Sequence, residues 1–266
     1  MALQLGEIAE AHWRGLQLLL PGRAVGLYVV GSAALGDFQP TSDIDTITVV
    51  DGQLDRADQQ VLRGVHADLV RDFPAVRYDT TYVPQEWLHR TMDPETAPPT
   101  PFSQDGQLQL GERSGEVHPL TWLALSRGGV RVAGPEISDL DIHVDLDAAR
   151  NYALSNLRQY WAALGAELAL ASRWRNPRAV LDEPVAVIWA VLGAPRLAAF
   201  LETGELVSKS EAAEYLSHTF PQFASLAWRC AEFRRGQPQS FTIADARTAA
   251  EVVREVVDRA AALSLS

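Results

Sequence analysis

Gly31-Ser32 is followed, after ten intervening residues, by Asp43-Ile44-Asp45. Successive side chains of a strand point to opposite faces, so Asp43 and Asp45 share one face while Ile44 turns into the core. At an effective dielectric of about 20, two carboxylates roughly 4 Å apart repel by roughly 4 kcal/mol. Such a pair at a strand end makes most sense around a cation. An all-oxygen ligand set selects Mg²⁺, which keeps its remaining coordination for water and substrate phosphates. Gly31 closes a β-rich run, where the missing Cβ lets the backbone approach a triphosphate; Ser32, opening a helical turn, offers a hydroxyl and a backbone N–H to phosphate oxygens. A Gly-Ser step alone is a common turn, and Asp-x-Asp alone is often a solvated strand edge. Their joint spacing is what points to a metal-bound nucleoside triphosphate.

The elements that must position these residues are legible around them. Residues 5–20 carry an amphipathic helical pattern (Leu5, Ile8, Ala9, Trp13, Leu16), and 25–30 and 46–50 read as strands on either side of the Gly/Pro/Ser/Asp-rich connection. Residues 55–72 return to helix, 76–83 give a third strand, 94–115 read as an irregular substrate-side segment, and 128–134 as a short strand between turns. From about residue 144 the pattern becomes helical: 145–170, 183–201, 209–217, 221–234 and 243–264. The expected fold is therefore α+β followed by all-α: a mixed sheet with flanking helices over residues 1–143 and a C-terminal α-helical bundle over 144–266.

Composition narrows the partners. A formal net charge of -11 over 266 residues argues against a general nucleic-acid binder, because phosphate neutralisation needs a basic face. A cationic or small-molecule partner suits it better, although an acidic surface can also serve solubility alone. Cys230 is the only cysteine, which rules out an intramolecular disulfide or a thiolate metal cluster and fits a cytoplasmic location. No signal segment is expected, since Glu7 and Glu10 stand where a positive flank belongs and Leu18-Leu19-Leu20 stops at Pro21-Gly22. No membrane span is expected either: the apolar window 26–35 is far shorter than the roughly 20 residues required.

Gly31-Ser32, the ten-residue gap and Ser42-Asp43-Ile44-Asp45 match the signature of the nucleotidyltransferase superfamily typified by DNA polymerase β. More narrowly, the chain resembles the aminoglycoside-3″/9-type adenylyltransferases. Asp79, in Tyr78-Asp79-Thr80-Thr81-Tyr82-Val83, falls where that family has its third strand and catalytic glutamate. Leu108-Gln109-Leu110-Gly111-Glu112 resembles the segment after that strand. Thr203-Gly204-Glu205, then Ser208-Lys209 and Ala212-Ala213, resemble a helix-start motif whose lysine contacts ATP phosphates, with Arg196 placed as the family's arginine is. The resemblance implies transfer of AMP from ATP to a hydroxyl of a small acceptor. Asp43 and Asp45 would hold one or two Mg²⁺ ions, and Asp79 would complete a second metal site or accept the proton. Gly31, Ser32, Ser42, Arg196 and Lys209 would bind the nucleotide.

On the acceptor side the likeness thins. Glu112, Arg113 and Asp182 or Glu183 fall where the family meets its drug, but Arg113 stands where streptomycin-modifying relatives carry a tryptophan, and its charge would repel a polycation. An aminoglycoside, or an aminocyclitol such as spectinomycin, is the named acceptor the resemblance offers; a monomer is compatible with it. Transfer to a protein or tRNA end, and a catalytically silent nucleotide-binding module, are the competing readings. Structural explanations also exist for single residues: a solvated Asp79, a helix-opening Lys209, an Arg196 paired with a buried carboxylate, a Glu112 in a loop salt bridge. Trp174, Trp189 and Trp228 are expected in the core, and the six histidines show no metal-ligand spacing.

Overall fold

The computed structural model describes residues 2–173 and 184–263, without the side chains of residues 2–4 and 172. It divides into two compact units, one of residues 1–38 and 42–149, the other of residues 39–41 and 150–266.

The first unit is built on a six-stranded mixed sheet in the order β5-β4-β3-β2-β1-β6: β1 Ala24–Val30, β2 Ile44–Val50, β3 Tyr78–Pro84, β4 Phe102–Gln104, β5 Gln107–Gln109 and β6 Val130–Ala133. β2 and β3 run parallel, with Asp45 opposite Asp79, while β1 lies antiparallel to β2 with Val30 opposite Asp45. Helices α1 (Ala2–Leu19) and α3 (Arg56–Asp72) cover one face. There Ile8, Ala9, Leu16, Leu62, Val65 and Leu69 pack on Leu27, Ile44, Tyr78 and Tyr82. On the other face Trp87 and Leu88 of the short helix α4 (Gln85–Leu88), with Trp122 and Leu125 of α5 (Pro119–Gly128), pack on Tyr28, Val30, Ile47, Val49 and Val83. The two-residue alternation thus sends Ile44, Tyr78 and Tyr82 to one core and Ile47, Val49 and Val83 to the other. α3 starts where it does because Asp55 and Asp58 form a reciprocal capping box.

The segment 94–115, expected to be irregular, contains the β4–β5 hairpin. Asp105 and Gly106 form its turn with φ of 51° and 74°. Two consecutive positive φ angles suit the twist of a tight hairpin, and Asp-Gly is a favoured sequence for it.

The second unit is helical: α6 (Leu146–Asn156) from residue 150 onward, a π-helical turn Leu157–Trp161, α7 Ala162–Ala169, and helices Val185–Thr203, Lys209–Thr219, Ala224–Arg234 and Ile243–Leu263. Val185–Thr203 is its centre, with Val191, Leu192, Ala194, Ala198 and Phe200 buried. Among the described residues, this helix gives a longer apolar stretch than residues 26–35. It is long and apolar enough to cross a membrane, with a mean hydropathy of 1.6, yet 61% of that window is buried inside the fold. Gly204 ends it in the left-handed region at φ 76°, and Ser208 with Glu211 forms the capping box of the next helix. Thr203-Gly204 is therefore the stop of one helix, and Ser208 the start of another.

Helical position is a poor guide to the tryptophans. Trp189 is 38% exposed and Trp228 40%, because both lie on outer helix faces, whereas Trp87, Trp122 and Trp161 fill the cores. Trp174 lies outside the described residues.

Candidate active site

β1 ends in an abrupt change of direction. Val30 is extended, Gly31 adopts φ 67°, and a single helical turn Gly31–Ala34 follows, closed by Leu35 N–H donating to Gly31 O and Asp37 N–H to Ser32 O. Glycine is required at the corner for two reasons. Its φ is costly for any L side chain, and a Cβ there would overlap Asp45 Oδ2 and stand 3.2 Å from Asp45 Cγ. The turn and the carboxylate are therefore packed against each other.

Asp43 immediately precedes β2, Asp45 is its second residue, and Asp79 is the second residue of the neighbouring parallel β3. Because the register pairs Asp45 with Asp79, their side chains emerge side by side on one face. Asp43, Asp45 and Asp79 are all half-buried, and each offers a carboxylate oxygen within 4.8 Å of the other two. Ile44, between the first two, is 2% exposed and points into the α1/α3 core.

Asp79 receives help that its sequence neighbourhood does not announce. Its Oδ1 accepts the Gly106 N–H at 3.1 Å from the hairpin turn. Burial pushes its carboxyl above the usual carboxylate value; the charges of Asp43 and Asp105 add to this, and the N–H donors of Gly106 and Asp105 oppose it. The Asp105-Gly106 dipeptide between two short alternating runs is the signal that would have found this turn.

Ser32 Oγ is buried and has no hydrogen-bond partner among the described residues. An unpaired buried hydroxyl is costly and uncommon in folded proteins. With the all-oxygen donor set of the three aspartates beside it, it fits a site shaped for an anionic group carrying a hard divalent cation. Ser42, half-buried, leads into Asp43.

The other sequence-derived residues are placed as follows. Glu112 is exposed, and its backbone carbonyl accepts the Thr100 N–H at 3.2 Å. Arg113 Nε donates to the Ala97 carbonyl at 2.9 Å. Both belong to the first unit. In the second, Arg196 Nε donates to the Val207 carbonyl at 2.8 Å, fastening the Val185–Thr203 helix to the loop behind it. Lys209 is the first residue of its helix, and its Nζ lies 4.7 Å from the centre of the Trp189 ring, whose indole N–H donates to Tyr160 Oη at 2.8 Å. Asp182 and Glu183 lie outside the described residues.

Residues 12–97 match the family model of the nucleotidyltransferase domain. Among solved structures, the chain is similar to spectinomycin adenyltransferase AAD(9) from Enterococcus faecialis, determined with ATP and spectinomycin. The TM-score is 0.72 at 16% sequence identity, over 96% of this chain and 98% of that one. No curated protein sequence matches.

Proposed function

From a chain that carries a nucleotidyltransferase domain, we propose an enzyme that transfers AMP from ATP to a hydroxyl of a small acceptor, in the presence of Mg²⁺. The observation that carries this reading is the convergence of Asp43, Asp45 and Asp79 within 4.8 Å beside the Gly31-Ser32 turn. Three carboxylates so close repel one another unless a cation joins them. Asp43, Asp45 and Asp79 are the residues that would hold one or two Mg²⁺ ions. Bound there, Mg²⁺ supplies Lewis-acid polarisation of a phosphate and compensates the charge of the leaving pyrophosphate.

The chain's own groups do the rest. Gly31 lets the backbone come close to the triphosphate, and the Ser32 hydroxyl, which has no partner among the described residues, donates to a phosphate oxygen. The acceptor oxygen forms a bond to the α-phosphorus as the α–β bridging bond breaks. Its proton passes to Asp79 where Asp43 and Asp45 alone hold the metal, and to water where Asp79 completes a second metal site. Ser42, Arg196 and Lys209 are assigned to the nucleotide.

The acceptor class follows from two supports: a net charge of -11 that favours a cationic partner, and a neighbour of similar fold that was solved with spectinomycin. An aminoglycoside or aminocyclitol is the proposed acceptor, met by Glu112 and Asp182. Arg113, held on the Ala97 carbonyl, tunes which cations are admitted. A cytoplasmic location, where ATP is supplied, goes with this reading. Incubation with Mg-ATP and a panel including spectinomycin, streptomycin and other aminoglycosides tests it. The expected result is pyrophosphate release with one acceptor gaining a single adenylyl group by mass; silence across the panel would remove this acceptor class.

A further inference from the structure

Behind the carboxylates, on the sheet face covered by α1 and α3, buried polar side chains form a continuous chain. His66 Nε2 lies 2.9 Å from Tyr82 Oη, which lies 2.7 Å from His12 Nε2. His12 Nδ1 is 2.8 Å from Tyr78 Oη, and Tyr78 Oη is 3.2 Å from Thr46 Oγ1. Thr46 Oγ1 lies 3.0 Å from the carbonyl oxygen of Asp79. His12 and Tyr82 are fully buried, and Tyr78, Thr46 and His66 nearly so.

The Thr46 hydroxyl donates to Tyr78 Oη and, sharing its hydrogen, to the Asp79 carbonyl. Tyr78, which accepts from Thr46, then donates to His12 Nδ1. A neutral imidazole that accepts at Nδ1 carries its proton on Nε2, so His12 donates to Tyr82 and Tyr82 donates to His66 Nε2. Burial, with the neighbouring His66 second, holds His12 well below its usual value, and burial pushes His66 down to about 4, so both rings are neutral at pH 7.

We propose that this buried hydrogen-bond chain, headed by the Thr46 hydroxyl, is a positioning device for Asp79. It fixes the backbone of β3 from behind the sheet, at the residue where Asp79 stands opposite Asp45. The Gly106 N–H fixes the side chain of Asp79 from the hairpin. Thr46 and Asp45 are adjacent on β2 and point to opposite faces, so one hydroxyl couples the two strands directly under the carboxylate cluster. The inference rests on Asp79 belonging to the proposed Mg²⁺ site. None of these positioning residues touches substrate.

Thr46→Val keeps the side chain's shape and removes the donor, Thr46→Ser keeps the donor, and Tyr78→Phe removes the buried oxygen that holds that hydroxyl in place. The readouts are calorimetric titration with Mg²⁺ alone and steady-state transfer. Loss of an outer partner of a metal ligand weakens metal affinity or turnover by about 10–100-fold, so Thr46→Val is expected to lower Mg²⁺ affinity and kcat by about 10-fold while KM for ATP changes little. Thr46→Ser restores both. The double variant Thr46→Val/Tyr78→Phe is expected to be no worse than the weaker single variant, because both cut the same chain. Nitrogen NMR of histidine-labelled wild-type protein is expected to show His12 neutral with its proton on Nε2, a measurement that needs no variant to fold. A His12 proton on Nδ1, multiplicative losses in the double variant, or wild-type Mg²⁺ affinity in Thr46→Val would each overturn the proposal. Wild-type protein that binds no Mg²⁺ would instead defeat the functional reading, leaving the tautomer result to stand on its own.

Discussion

Gly31 and Asp45 are in such close register that no side chain fits between them: a Cβ on Gly31 would overlap Asp45 Oδ2, and the glycine sits at φ 67°. The turn that presents Ser32 and the strand that presents Asp45 are thereby locked together by the absence of one methyl group.

Gly31→Ala is expected to lose on two counts. The left-handed backbone costs about 1–2 kcal/mol for an L residue, lowering the melting temperature of the first unit by several degrees. The displaced Asp45 carboxylate costs more in function, since a misplacement near 1 Å can reduce turnover by about 100-fold. Thermal melts and transfer assays on the same preparation measure both; near-wild-type turnover would show that the close packing is incidental.

Ser32→Ala should separate binding from folding. The Ser32 hydroxyl is buried without a partner among the described residues, so its removal relieves an unsatisfied group and leaves stability unchanged or slightly raised. A hydrogen bond to a charged group contributes about 1.5–3 kcal/mol, so affinity for Mg-ATP is expected to fall by about 10–100-fold. Calorimetry with a non-hydrolysable ATP analogue provides the comparison. A destabilised variant with unchanged nucleotide affinity would assign Ser32 to structure alone.

The aspartate cluster makes an opposite prediction for the metal-free protein. Asp43, Asp45 and Asp79 repel one another within 4.8 Å, so Asp43→Asn is expected to melt higher than wild type in EDTA. Adding MgCl₂ should raise the wild-type melting temperature and leave that of Asp43→Asn nearly unmoved, because binding to the native state stabilises it by mass action. Equal Mg²⁺-induced shifts in both proteins would place the metal elsewhere.

The buried histidines give the first unit an acid-sensitive stability. Unfolded histidine takes its proton near pH 6.5, whereas burial holds His66 neutral down to about 4 and His12 also well below 6.5. Between those values the unfolded state binds more protons. The contribution is therefore fully present above pH 6.5 and is lost as the pH falls towards 4, at up to about 1.4 kcal/mol per pH unit for each ring. Asp79, whose carboxyl is pushed up, works in the opposite sense over its own titration. Denaturant unfolding of wild type and of His66→Gln between pH 7 and pH 5 should show a steep decline in the former and a shallower one in the latter. Parallel curves would mean that His66 is not held neutral.

The sequence exposed the parts of the site that depend on local chemistry. Gly31, Ser32, Asp43 and Asp45 were legible because a positive φ, a helical opening and a two-residue alternation all leave marks within a few positions. Asp79 needed a family likeness, since nothing local says that the third strand lies parallel to the second in the register that faces Asp79 with Asp45. The hairpin donor at Gly106 is marked in the sequence by Asp105-Gly106 alone, inside a stretch rich in Pro and Gly. The relay of His12, His66, Tyr78 and Tyr82 could not be read at all: its members are 66 and 70 residues apart along the chain, and a buried histidine bonded to tyrosine has no spacing rule. Trp189 and Trp228 were misjudged because helical location does not tell which face of a helix is wet.

The most direct test of the account is label transfer from ATP carrying radiolabel in its α-phosphate. Wild-type protein and Asp45→Asn, matched by circular dichroism, are incubated with Mg²⁺ and the acceptor panel, and labelled product is separated from nucleotide. Label is predicted to pass to an acceptor with the wild type, to disappear when Mg²⁺ is replaced by EDTA, and to disappear with Asp45→Asn. Undiminished transfer by folded Asp45→Asn would contradict the assignment of the carboxylate cluster as the reacting centre.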